Sequence, residues 1–129
     1  MIQGIVGYAT YLIAAGILLG VFVVIYTWVT PFDELALIHA GNGAAALSLG
    51  GALTGFSLTL GSAIVHSATL VAVLMWAVAA MIVQVVVFTI ASRLMVTVRT
   101  EIEAGNVAVG GFMGSISLVA GIVNAACLS

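Results

Sequence analysis

Residues 68–92 read ATLVAVLMWAVAAMIVQVVVFTIAS, a run with no charged side chain and one amide, Gln84. Crossing the hydrocarbon core of a bilayer takes about 20 apolar residues in a helix, and this run exceeds that. It is also continuously apolar, with none of the ~10-residue alternation that a membrane β-strand needs, and lipid leaves the backbone only helices or closed barrels. Working outward, residues 1–32, 35–92 and 104–129 all lack charge. By length these blocks hold one, two and one spans. The spacing predicts spans at Ile5–Trp28, Ala44–Val65, Ala68–Ser92 and Val107–Leu128, with a tight hairpin at His66–Ser67 inside the middle block. The expected fold is therefore an all-α integral membrane protein of four transmembrane helices, a single membrane domain over 1–129.

The composition agrees. Of 129 residues 64% are hydrophobic and 5% charged, with mean hydropathy +1.41, whereas soluble domains carry about 25% charge. The charges are Asp33, Glu34, Arg93, Arg99, Glu101 and Glu103, with no lysine. Nothing here can neutralise a row of phosphates, so nucleic acid is excluded as a partner. Cys127 is the one cysteine and the two histidines are far apart, so no metal site and no cofactor are expected. Ser62 and His66 stand four apart but lack an orienting acid, and the glycines sit in apolar spans without a phosphate-loop lysine. No catalytic residue is assigned, and the chain is read as a non-enzyme.

All six charges fall in two connections, 30–43 and 93–106, which an even number of spans places on the same side. Arg93 and Arg99 make that side cytoplasmic by the positive-inside rule, with both termini extracytoplasmic. The start Met1-Ile2-Gln3-Gly4 lacks the positive region of a cleavable signal peptide, so the first span is retained. Tyr26 and Trp28 at its inner end are expected to be interfacial anchors facing lipid.

Shifting the chain by 64 residues superposes Ala40-Gly41-Asn42 on Ala104-Gly105-Asn106, and also pairs Val21 with Val85, Ile38 with Ile102 and Gly50 with Gly114. The chain thus reads as two repeats, about 1–65 and 66–129. A unit of two spans keeps its orientation, so the expected pseudo-twofold axis runs along the membrane normal.

Thr30-Pro31 closing the first span, the following Glu34 and Ile38, Asn42 before the second span, Gly51 and Gly55 within it, and Gly111-Phe112-Met113-Gly114 through Asn124-Ala125-Ala126-Cys127 resemble one family across nearly the whole chain. These are the small bacterial membrane proteins called domain of unknown function 350, built from a paired two-span unit. The resemblance implies a bacterial inner-membrane location and two paired repeats. It assigns no chemistry to individual positions.

Small residues recur three or four apart in the second span, including Ser48, Gly51, Gly55, Thr59 and Ser62, and in the fourth, including Gly110, Gly114, Ser117 and Gly121. Such stripes let helix backbones approach in lipid, so they are read as packing faces, as is the Gly16–Gly20 pair of the first span. A sharper alternative has Ser48, Thr59, Ser62 and Ser115 line a pore. Asn42 and Asn106 are read as helix N-caps, with a paired polar site around the axis as the alternative. Gln84 and Asn124 inside spans are read as interhelical hydrogen-bonding groups. Thr30-Pro31-Phe32-Asp33 predicts a short interfacial helix that starts at a threonine cap, with Asp33 and Glu34 in water and Phe32, Leu35 and Ile38 toward lipid or a partner.

Asp33, Glu34, Arg99, Glu101 and Glu103 then form the docking surface for a peripheral cytoplasmic protein. No carboxylate falls within a span, which argues against coupled proton transport. The leading function is a homo-oligomeric scaffold or anchor in contact with membrane lipid; the alternative is a passive channel formed by the oligomer.

Overall fold

The computed structural model describes residues 1–128. It contains α1 (Ile2–Val29), α2 (Glu34–His39), α3 (Gly43–His66), α4 (Leu70–Leu94), α5 (Val98–Glu103) and α6 (Val107–Cys127), and no strand among the described residues. Four of these are long and apolar enough to cross a membrane, at 28, 24, 25 and 21 residues. At about 1.5 Å per residue they measure roughly 32–42 Å, against a hydrocarbon core of about 30 Å. The chain turns between α3 and α4 at Ser67–Thr69, where the Thr69 hydroxyl accepts from the Ala72 N–H at 3.2 Å.

Each connection between long helices on the charged side carries a short helix, α2 or α5. The second was not foreseen, because six residues rich in charge give no periodic pattern to read. Both end alike. Gly41 (φ +91°) and Gly105 (φ +82°) adopt the left-handed conformation. The Gly41 N–H then reaches Ile38 O and the Asn42 N–H reaches Leu37 O, while Gly105 and Asn106 bond Ile102 O and Glu101 O in the same way, all at 2.8–2.9 Å. This is the glycine-terminated helix stop in which the two residues past the end bond back to the last turn. The 64-residue offset holds for both bounds of α2 and α5 and for the starts of α3 and α6.

α3 and α6 are the most intimate pair. A Cβ placed on Gly51, Gly110, Gly114 or Gly121 would lie under 3.0 Å from backbone of the opposite helix, at Gly114, Ala44, Leu47 and Gly55 respectively. The absence of side chains there sets the helix separation. α4 lies against both α3 and α6, whereas α1 rests mainly on α3 and α4. Its contact is aromatic: Phe22 stacks on Phe56 with ring centroids 4.4 Å apart, and Tyr26 meets Phe88 edge-on at 5.5 Å. The outer face of α1 is bare, and Gly16 and Gly20 have no atom within 4 Å of an added Cβ.

Candidate functional site: a buried carboxyl at the connector end

Pro31 has no N–H to continue α1, and it holds the preceding Thr30 extended (ψ 144°), so the chain leaves the helix there. The segment folds back under the bundle. Thr30 is not the cap expected from sequence. That role falls to Asp33, whose Oδ1 accepts from the Ala36 N–H at 3.2 Å, while Pro31 stays in the turn. The reversal carries Phe32 inward, to 6.1 Å from Phe88, and places Glu34 at the first position of α2 with 0% exposure.

Two expectations are thereby corrected. Glu34 is not in water and takes no part in a docking surface, and Tyr26, at 1% exposure, is not a lipid-facing anchor. Phe32 is likewise buried, although Leu35 is exposed. Trp28 does face outward at 86% exposure, near the end of α1. The physical reason is the direction of the chain after Pro31: a connector that ran along the interface would wet Glu34, whereas one that doubles back inserts it beneath α1. No spacing signal marked the acid, because α1 ends at Val29 and the chain reverses before Glu34. Within α1 the buried Leu18, Phe22 and Tyr26 do recur every fourth residue.

The Thr30 hydroxyl donates to Glu34 Oε1 at 2.5 Å, and Oε2 has no partner. The Tyr26 hydroxyl lies within electrostatic reach of the carboxyl and beside Ser117, yet closes no hydrogen bond. No cation offsets the buried acid: Arg93 and Arg99 are exposed, and Arg99 Nε sits 3.4 Å from Glu103 Oε1. Burial therefore pushes the Glu34 carboxyl up to about 7; the Thr30 hydrogen bond opposes this and the neighbouring Asp33 charge adds to it. An open groove of about 510 Å³ between the connectors reaches Thr30 and is flanked by Trp28, Asp33, Arg99 and Glu103.

Deeper in the bundle, Gln84 Nε2 points to Ala52 O at 3.5 Å, and Gln84 Oε1 and Ser48 Oγ are buried without partners. Counting about 1.5 Å per residue, Gln84 and Ser117 each stand roughly 15 Å from the connector ends of their helices, near mid-membrane.

The remaining sequence-derived residues fall into three places. Ser48 and Thr59, at 0% and 1% exposure, are enclosed in the α3–α6 seam and cannot line an axis between protomers. Thr59 instead donates across the seam to Gly121 O at 2.9 Å, and Ser62 donates to Ala125 O at 2.7 Å. Ser115 is exposed but donates within its own helix to Gly111 O. Asn42 accepts from the Ala45 N–H and donates to Ile102 O at 2.7 Å, tying the entry of α3 to α5. Asn106 accepts from the Ala108 and Val109 N–H groups and donates to Glu101 Oε2 at 2.6 Å, so the two asparagines are each engaged locally and not with one another. Asn124 is half-buried at the far end, in a cleft with His66 and Cys127. Among the described residues no three His, Cys, Asp or Glu side chains gather as metal ligands.

The arrangement brings together a buried carboxyl, a hydroxyl that donates to it and a carboxyl oxygen left without a partner; apart from it, at the far end of α3, Ser62 Oγ lies 3.4 Å from His66 Nδ1. Fold and site define a multi-pass helical membrane protein with one buried acid at the end where its connections fold back. The family model described as Domain of Unknown Function (DUF350) matches residues 1–128, and the chain belongs to that family. It is 30% identical over 129 residues to UPF0719 inner membrane protein YjfL of Escherichia coli (strain K12), covering all of this chain and 98% of the relative. The protein of the same name from Escherichia coli O157:H7 matches at the same identity and coverage. No solved structure matches. With four apolar helices, this makes the protein a multi-pass protein of the inner membrane in contact with lipid.

Proposed function

We propose that the protein is a non-enzymatic, homo-oligomeric inner-membrane anchor that holds a peripheral cytoplasmic partner on the face formed by its two connections. The observation that carries this reading is the joining of those connections into one platform: Asn42 Nδ2 bonds Ile102 O, and a polar groove runs between the α1–α2 turn and α5. Asp33, Arg99 and Glu103 are exposed on it beside the apolar Trp28 and Leu35, a mixture suited to a protein partner. Glu101 contributes less, since it is half-buried against Asn106. Arg93 and Arg99 support a cytoplasmic position for this face and extracytoplasmic termini. The bare α1 face with Gly16 and Gly20 supports self-association, and the matching stops after α2 and α5 support an origin as two parallel two-span repeats.

Crosslinking and pull-down from membranes with Asp33→Lys, Arg99→Glu and Glu103→Lys test the anchor. Loss of a wild-type partner is expected; unchanged recovery counts against it. A passive channel is the second reading, favoured by a shallow groove along the seam where Thr54 and Ser115 are exposed. Absence of conductance from purified protein in planar bilayers removes it.

A further inference from the structure

We propose that Glu34, fully buried and bonded by Thr30, is a proton-binding site that exchanges with the groove between the connections, and that loss of its proton loosens α2 from the bundle. This stands apart from the anchor reading and survives the failure of that reading.

The argument begins with what faces the carboxyl. From α1 the ionisable neighbour is Tyr26, and from its own segment Asp33. α3 and α6 carry titratable side chains only at their far ends, His66 and Cys127. α4 has only Arg93, which is exposed. In α5, Arg99 pairs with Glu103 and Glu101 bonds Asn106; in α2, His39 is exposed at the opposite end from Glu34. No positive charge therefore compensates an ionised Glu34, and burying an uncompensated carboxylate costs several kcal/mol, so a proton is bound instead.

The neutral form also fits the hydrogen-bond inventory. Oε1 already accepts from Thr30, so the proton belongs on Oε2, where it turns an unpartnered acceptor into a donor. The Tyr26 hydroxyl, also buried and unpartnered and within electrostatic reach of the carboxyl, offers an acceptor oxygen for that proton. Release breaks the Oε2–H bond, leaves the electron pair on the carboxylate and passes the proton to water. Thr30 is the gate, since it bonds the carboxyl and lines the groove. With the carboxyl shifted to about 7, both forms are populated near neutral pH. The ionised form gains most by moving toward that water, and α2 is the element that must move, because Glu34 is its first residue.

The test uses the full chain in lipid nanodiscs. Dicyclohexylcarbodiimide adds to protonated carboxyls in apolar surroundings, and peptide mass mapping locates the adduct. Glu34 is expected to be labelled in preference to Asp33, Glu101 and Glu103, with labelling falling at least tenfold between pH 6 and pH 8.5. Infrared pH-difference spectra are expected to show a protonated-carboxyl band that titrates over the same range, is missing in Glu34→Gln and titrates at higher pH in Thr30→Val, which removes a hydrogen bond to the charged form. Hydrogen exchange, corrected for the intrinsic pH dependence, is expected to rise in α2 above the midpoint. Labelling of Glu34 no greater than that of Asp33, or a midpoint in the ordinary carboxylate range, overturns the site. Equal α2 protection on both sides of the midpoint overturns the loosening. Should Glu34→Gln not fold, labelling and mapping of the wild type still decide the question.

Discussion

Replacing Gly114 by alanine tests the seam that organises the bundle. The added Cβ would stand under 3.0 Å from the Leu47 carbonyl oxygen, and because that atom is backbone no rotamer change relieves the clash. Ordinary Cβ contacts begin near 3.4 Å, so α3 and α6 must separate, by on the order of 1 Å if they move as rigid bodies. Overpacking of this kind costs about 1–3 kcal/mol. The movement also stretches the Thr59–Gly121 and Ser62–Ala125 bonds across the same seam, each worth about 0.6 kcal/mol in a membrane. Alanine regains about 1 kcal/mol of helix propensity over glycine. The net is a destabilisation of roughly 1–3 kcal/mol. Gly16→Ala and Gly20→Ala carry the propensity gain with nothing within 4 Å to strike, so as monomers they should match or exceed the wild type. Thermal unfolding in one mild detergent, followed by size exclusion, separates the two classes. If Gly114→Ala melts with the wild type, or if Gly16→Ala falls as far as Gly114→Ala, close packing of α3 on α6 is not what holds the fold.

Three further outcomes follow from the connector end. Because the folded state binds the Glu34 proton more tightly than the unfolded chain does, wild-type stability should fall as pH rises from about 4.5 to about 7, by on the order of 3 kcal/mol; Glu34→Gln should stay flat over that window, and a wild type that gains stability there refutes the assignment. Asn42→Ala removes a cap and the tie to Ile102, so a loss of about 1–2 kcal/mol is expected, read as a lower melting temperature and faster amide exchange in the first turn of α3. Gly41→Ala and Gly105→Ala force an L-residue to positive φ, costing about 1–2 kcal/mol each; melting curves in which both variants equal the wild type would contradict the shared helix stop.

Much of the architecture was legible because lipid imposes a coarse rule. Charge-free runs of span length must be helices, and the observed bounds of the four long helices lie within a few residues of those read from the sequence. The small-residue stripes on the second and fourth spans were also visible as spacing, since glycine three or four apart on a helix has few structural uses other than close approach. Trp28 was legible for the same reason: an indole near a span end belongs at the interface.

The acid was not legible in this way. Local chemistry describes Glu34 as a charged residue in a charged connection, and that description assigns it to water. Its burial depends on where the chain travels after Pro31, which brings Phe32 against Phe88 and lays Thr30 over the carboxyl. Tyr26 was misplaced for the matching reason, since a tyrosine at a span end is amphipathic and suits either lipid or core; only the packing of α1 on Phe56 and Phe88, through Phe22 and Tyr26 themselves, chose the core. Hydropathy and glycine spacing are additive along the chain, so the residues alone determined the solvent, the number of crossings and the helix faces that can meet. Burial of one carboxyl depends on how the connector packs against helices distant in sequence, which only the assembled bundle evaluates, and so tertiary structure alone decided that this membrane protein keeps an acid inside.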